Sequence, residues 1–142
     1  MSENSMPRVE PGSMPKPKGG IVSYLQLTDA AAAADFYRRA FGAEEVARML
    51  HPDGKRIIHC HLYINGGSIM LNDAFPEQGR PLEAQQAFTL TLMVDDIDAW
   101  FKRAAEAGCE VITPVATMFW GDRFAALKDP FGVGWAMNEA AK

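Results

Sequence analysis

Residues 21–27 alternate in side-chain polarity and end at Thr28 and Asp29, a strand period followed by helix N-cap chemistry. Ala30–Phe41 is built of strong helix formers and brings Ala33, Phe36, Ala40 and Phe41 to one side, with Gly42 where a left-handed C-terminal cap belongs. The same order returns further on. Residues 89–94 alternate, Asp95 or Asp96 can cap, and Ile97–Ala107 collects Ile97, Trp100, Phe101 and Ala104 on one face before Gly108 closes the helix.

The correspondence continues at a constant spacing of 66, which pairs Gly42 with Gly108, Gly66 with Gly132 and Asn72 with Asn138. Each half then closes with a hairpin. Residues 56–64 turn at Asn65, Gly66 and Gly67 into 68–72, and residues 123–128 turn at Asp129, Pro130, Phe131 and Gly132 into 134–138. Further strands are expected at 44–49 and 110–114. The pattern predicts an α+β chain of two tandem βαβββ modules, the first over about 20–74 and the second over about 87–139. A polar, Pro- and Gly-containing linker at 75–86 joins them. At 142 residues the globular part, 20–142, is expected to be one domain. Residues 1–19, rich in Pro, Ser, Lys and Glu, read as a disordered arm.

Alternation also assigns faces. Leu25 and Leu27, with Leu92 and Val94, are expected against the helices, because residues two apart on a strand point the same way. The opposite face is then expected to carry Val22, Tyr24 and Gln26; His59, His61 and Tyr63; Met70 and Asn72. In the second module it takes Thr89, Thr91 and Met93; Arg123, Ala125 and Leu127; Gly134, Ala136 and Asn138. Such a mixture is too polar for a packed core and too apolar for open solvent, and it suits the lining of a cavity.

Composition narrows the classes. Hydrophobic residues make up 48% and charged residues 23%, values of an ordinary globular chain, and no apolar run reaches a membrane span. A formal charge of −4 without a basic cluster argues against nucleic acid as a partner. Cys60 and Cys109 have no metal spacing and read as reduced thiols, which with the absence of an export signal gives an expected cytoplasmic location. No Ser-His-Asp or Gly-x-Ser-x-Gly arrangement is present, and Gly66-Gly67 is too short to cradle phosphate.

The chain resembles the vicinal-oxygen-chelate superfamily, the group of glyoxalases, bleomycin-resistance proteins and extradiol dioxygenases, and within it the PhnB-like (3-demethylubiquinone 3-methyltransferase-like) branch. The resemblance rests on Ala34-Asp35-Phe36-Tyr37, Ala40-Phe41-Gly42-Ala43-Glu44, His59 with Ile69-Met70-Leu71, and Phe119-Trp120-Gly121-Asp122-Arg123 with Asp129-Pro130-Phe131-Gly132 and Trp135. It implies a cupped mixed sheet with helices on the outer face, a ligand site in the cup, and a homodimer. The metal-binding members place their ligands at positions that fall here on Val22, Met70, Thr89 and Ala136, none of which offers a usable donor set. No cofactor is therefore expected. Val133 stands where this branch often has His.

His59 and His61 are the sharpest local feature, since an i, i+2 pair on a strand aims two imidazoles to one side. Three roles stay open for them: substrate contact or acid/base catalysis, structural hydrogen bonding, and metal binding with a third donor such as Gln26, Asn72 or Asp73. Arg123 would orient an anionic or carbonyl oxygen, or pair with Asp122 or a neighbouring acid. Trp120 is a stacking surface for a planar ligand or, with Phe119, an interface or core anchor, whereas Trp135 reads as core. Tyr24, Gln26, Asn72, Thr91 and Asn138 complete the expected substrate-binding set. His51 reads as a solvated hairpin residue. The expected function is small-organic-ligand binding in the cup with metal-independent proton transfer. The alternatives are a non-catalytic drug-sequestering protein and a divalent-metal lyase, isomerase or dioxygenase using His59 and His61.

Overall fold

The computed structural model describes residues 10–142. The strands and helices run β1 (Ser23–Leu27), α1 (Ala30–Phe41), β2 (Glu44–Leu50), β3 (Ile57–Ile64), β4 (Gly67–Asp73), β5 (Leu90–Met93), α2 (Ile97–Ala107), β6 (Glu110–Thr117), β7 (Arg123–Lys128) and β8 (Gly134–Glu139). This is βαβββ twice, an α+β fold with one four-stranded mixed sheet per module. The strand orders are β1-β4-β3-β2 and β5-β8-β7-β6. In each, the first strand runs parallel to the last and the other neighbours are antiparallel. The chain gathers into two compact units, the first Met1–Arg38 with Ala43–Leu82 and the second Arg39–Gly42 with Glu83–Lys142. Of the arm expected to be disordered, residues 1–9 lie outside the described residues.

In the first unit the side chains alternate as the sequence implies. Leu25, Leu27, Cys60, Leu62, Ile69 and Leu71 are buried on the helix-bearing side. Asp29 caps α1 by accepting from Ala32 N at 3.0 Å. The β3–β4 hairpin closes through the two-residue turn Asn65-Gly66, both at positive φ, the conformation a right-twisted two-residue hairpin needs. The hairpin joining β2 to β3 is pinned by Arg56, whose guanidinium lies over the Phe75 ring and donates to both oxygens of Glu77. His51 packs its ring against the same Phe75, with centroids 5.3 Å apart. Its side chain is only 15% exposed, so it is a packed residue rather than the solvated one expected.

In the second unit Asp96, not Asp95, caps α2 through Ala99 N. The Phe41 ring packs on Trp135 at 4.3 Å, which places Trp135 in the core as expected. The loop between β7 and β8 is organised by Asp129. Its Oδ1 accepts from Phe131 N and Val133 N, and its Oδ2 accepts from Trp135 Nε1 at 2.9 Å. Val133 is thereby fully buried.

That loop changes the register of the repeat. Ile64 faces Gly67 across two residues, whereas Lys128 faces Gly134 across five. Phe124, 65 residues after His59, therefore pairs with Asn138, and β7 is displaced by one residue relative to an exact copy of β3. A one-residue slip moves every side chain of a strand to the other face. Arg123, Ala125 and Leu127 accordingly stand beside Glu139, Met137 and Trp135 on the α2 side. Phe124, Ala126 and Lys128 take the open face instead, and the expected lining is corrected there.

Candidate functional site

The open face of the first sheet carries the best-formed polar constellation. Parallel pairing sets Tyr24 beside Met70 and Gln26 beside Asn72, and antiparallel pairing sets His61 beside Met70. Extending the β3–β4 ladder one step past the Cys60–Leu71 pair puts His59 across from Asn72. The expected residues Tyr24, Gln26, His59, His61 and Asn72 thus share one face.

Within this group Tyr24 Oη lies 3.0 Å from His59 Nδ1, with the rings tilted at 41°. The hydroxyl can donate to Nδ1, which leaves Nε2–H as a donor. It can also accept from Nδ1–H while reaching Ile58 O at 3.4 Å, which leaves Nε2 as a base. Burial lowers the His59 pKa from its ordinary value, so the neutral ring that this exchange requires is favoured. The Tyr24 phenol is pushed up by burial and by the nearby Cys60, and is drawn partly back by the Arg80 guanidinium. No carboxylate of the described residues pairs with Arg80.

Asn72 is buried, and its Oδ1 has no hydrogen-bond partner among the described residues. An acceptor so placed costs folding free energy until a donor reaches it. His61, 1% exposed, is held by Ser68, whose Oγ lies 2.7 Å from Nε2. Its pKa is lowered by burial and then by its neighbour His59. The two histidines therefore differ in their settings: His59 is half-buried and hydrogen-bonded at one nitrogen, while His61 is sealed and its Nε2 engaged.

The remaining expected residues stand in the second unit. Thr91 is exposed on the open face of β5, opposite Ala136. Trp120 packs edge-on against Phe124, and Phe119 extends into solvent. Asn138 donates to Asp122 Oδ2 at 2.9 Å and holds that carboxyl below its ordinary pKa, so its amide has a structural engagement. Arg123 is not on the open face. Its guanidinium forms a two-pronged pair with Asp98 of α2 at 2.7 and 2.9 Å, the neighbouring-acid alternative, but with Asp98 rather than Asp122. A groove of ≈ 360 Å³ on the second unit is lined by Phe88, Thr89, Ile112, Ala126, Lys128 and Gly134.

Two residues of the first-unit site escaped the sequence reading. Ser68 shares the parity of Met70 and Asn72 and could have been found from it. Arg80 could not, because it stands in the linker, where no period assigns a direction. It is positioned by paired backbone hydrogen bonds with Phe75 at 3.0 and 3.1 Å.

No group of three His, Cys, Asp or Glu able to hold a metal occurs among the described residues. No helix among the described residues is long and apolar enough to cross a membrane.

Two tandem βαβββ modules, each with a four-stranded mixed sheet, make an α+β fold of the glyoxalase type. The chain matches the Glyoxalase/Bleomycin resistance protein/Dioxygenase superfamily over residues 21–137 and belongs to it. It is 41% identical over 125 residues to an uncharacterised protein of Mycobacterium tuberculosis, covering 84% of this chain and 73% of that one. Among solved structures, protein PA1353 from Pseudomonas aeruginosa is similar with a TM-score of 0.71 and 26% identity, over 86% of this chain and 98% of that one. A putative 3-demethylubiquinone-9 3-methyltransferase, PhnB protein, from Bacillus cereus has a TM-score of 0.68 at 21% identity, covering 86% and 100%. This last likeness shows the fold alone.

Proposed function

We propose that the protein binds a small organic ligand on the open face of its first sheet, at Tyr24, His59 and Asn72, with Gln26 beside them. The observation that carries this reading is the Tyr24–His59 hydrogen bond at 3.0 Å, which fixes one imidazole nitrogen and leaves the other without a partner among the described residues. The unpartnered Asn72 oxygen supports it, because a ligand hydroxyl or amide would supply the missing donor. The Arg80 guanidinium, which pairs with no carboxylate of the described residues and whose charge draws the Tyr24 phenol partly back, supports a ligand that also carries a carboxylate or enolate oxygen. His59 is then the proton donor or acceptor, in chemistry that needs no metal. Arg123 has no part in it, being paired on the other face.

The test is a thermal-shift screen of small aromatic carboxylic acids and phenols on the unaltered protein and on His59→Ala. At least one compound is expected to raise the melting temperature of the former and not of the latter. A panel that shifts neither protein, or both equally, is evidence against this site. Turnover of a bound compound that His59→Ala abolishes, with binding kept, separates an enzyme from a sequestering protein.

A cytoplasmic homodimer of the PhnB-like branch completes the proposal. The branch is supported by Asp129-Pro130-Phe131-Gly132 and the residues around Trp120, and self-association by exposed Met93, Ile112, Phe119 and Trp120. Light scattering coupled to gel filtration checks the dimer.

A further inference from the structure

Residues 16–18, from the segment that precedes β1, are tied to the same face of the first sheet. Tyr63 Oη donates to Lys16 O at 2.8 Å. Lys18 N donates to Ser68 Oγ at 2.7 Å, and Ser68 N donates back to Lys18 O at 3.1 Å. The Lys18 ammonium lies 4.1 Å from the centre of the Tyr63 ring. Two of these partners, Ser68 and Tyr63, contact His61. The Ser68 hydroxyl, accepting from Lys18 N–H, is left with its own proton to give to His61 Nε2, and the Tyr63 ring stands edge-on to the imidazole at 5.1 Å.

The local sequence suits a latch with a pivot. Pro15 and Pro17 restrict the backbone of this stretch and so reduce the entropy lost when it is laid down. Gly19, at φ 101, and Gly20 follow at once, and Ile21 beyond them is 96% exposed. The paired strand therefore begins only at Ser23, although the alternation of side chains starts at 21.

We propose that residues 15–18 are a strap latched over the His61 end of the ligand face, and that its release about Gly19 and Gly20 opens His61 and Ser68 to a ligand. His59 and Tyr24 remain accessible in the latched state. The consequence for binding rests on the ligand site proposed above; the latch itself does not, and it is tested without any ligand.

The experiment is carbethoxylation of the full chain by diethyl pyrocarbonate at neutral pH, with each histidine followed by peptide mass spectrometry. In the unaltered protein His59 is expected to react and His61 to be protected by at least tenfold. In Lys18→Gly/Tyr63→Phe, which removes the ammonium contact and the bond to Lys16 O, and separately in Ser68→Ala, the His61 rate is expected to rise to within about threefold of His59. Equal rates for the two histidines in the unaltered protein would overturn the strap, as would full protection of His61 in both variants. Hydrogen exchange on the unaltered protein guards against misfolded variants. Slow exchange at the Lys18 and Ser68 amides is expected, and exchange at Lys18 as fast as in a free peptide would refute the latch. Failure of every screened compound to bind, with His61 protection released as described, would count against the ligand site and leave the strap standing.

Discussion

Asp73, at the end of β4, accepts a hydrogen bond from Ala30 N, the first residue of α1, at 2.8 Å. The arrangement recurs 66 residues later, where Glu139 at the end of β8 accepts from Ile97 N, the first residue of α2, at 3.0 Å. In each module the acid on the last strand satisfies an orphan amide of its helix and meets the positive end of the helix dipole. Asp73 does more. Its second oxygen accepts from Ile57 N at 2.6 Å and so ties the start of β3 to the same point.

Removal of that carboxylate therefore leaves two backbone amides without their partner. Asp73→Ala is expected to destabilise the fold by about 2–4 kcal/mol, read from urea unfolding midpoints. Asp73→Asn, which keeps one acceptor oxygen, should lose less. Equal stability of all three proteins would show that water replaces the carboxylate without cost.

The displaced register of β7 makes a geometric prediction. Phe124 and Asn138 are directly opposed, whereas Arg123 is opposed to Glu139 and points to the other face. In a background with Cys60 and Cys109 replaced by Ala, the pair Phe124→Cys/Asn138→Cys should be bridged by dibromobimane with a rise in fluorescence, since opposed Cβ atoms lie about 4.5–5.5 Å apart. The pair Arg123→Cys/Asn138→Cys should not be bridged. The reverse result would restore Arg123 to the open face.

Stability should fall on mild acidification. His59 and His61 have pKa values below the ordinary 6.5 when folded, both chiefly through burial. The unfolded chain then takes up protons first as pH drops below 6.5, so the folded state is favoured fully above that value and loses ground down to the folded pKa values. Denaturation midpoints at pH 7.5 and pH 5 should differ in this direction, and by less in His59→Gln/His61→Gln.

Thiol chemistry should report global unfolding only. Burial pushes the Cys60 thiol up to about 11, with Glu45 adding to it, and pushes Cys109 up to about 12, with Asp129 adding to it. Both are buried and free. Ellman's reagent at pH 8 is expected to leave the folded protein unlabelled and to count two thiols after denaturation. Fast labelling of either cysteine in the folded state would mean that its covering opens locally.

The periods of 2 and 3.6 and the capping residues determine the strands and helices, because each depends only on near neighbours in the chain, and the 66-residue repeat groups those elements into two βαβββ modules. They also determine the open face of the first module, since Tyr24, Gln26, His59, His61 and Asn72 keep one parity along strands without irregular turns between them. The tertiary structure alone decided three matters. The five residues held by Asp129 between Lys128 and Gly134 set the parity of β7, and a hydrogen-bonded loop has no period from which that offset could be read. The linker residue Arg80 and the segment at Lys16 and Lys18 reach the first sheet through backbone bonds to Phe75, Tyr63 and Ser68, contacts that no alternation encodes. The difference between His59 and His61, identical in type and parity, arises from what lies above each ring, and that is a property of packing at a distance in the sequence.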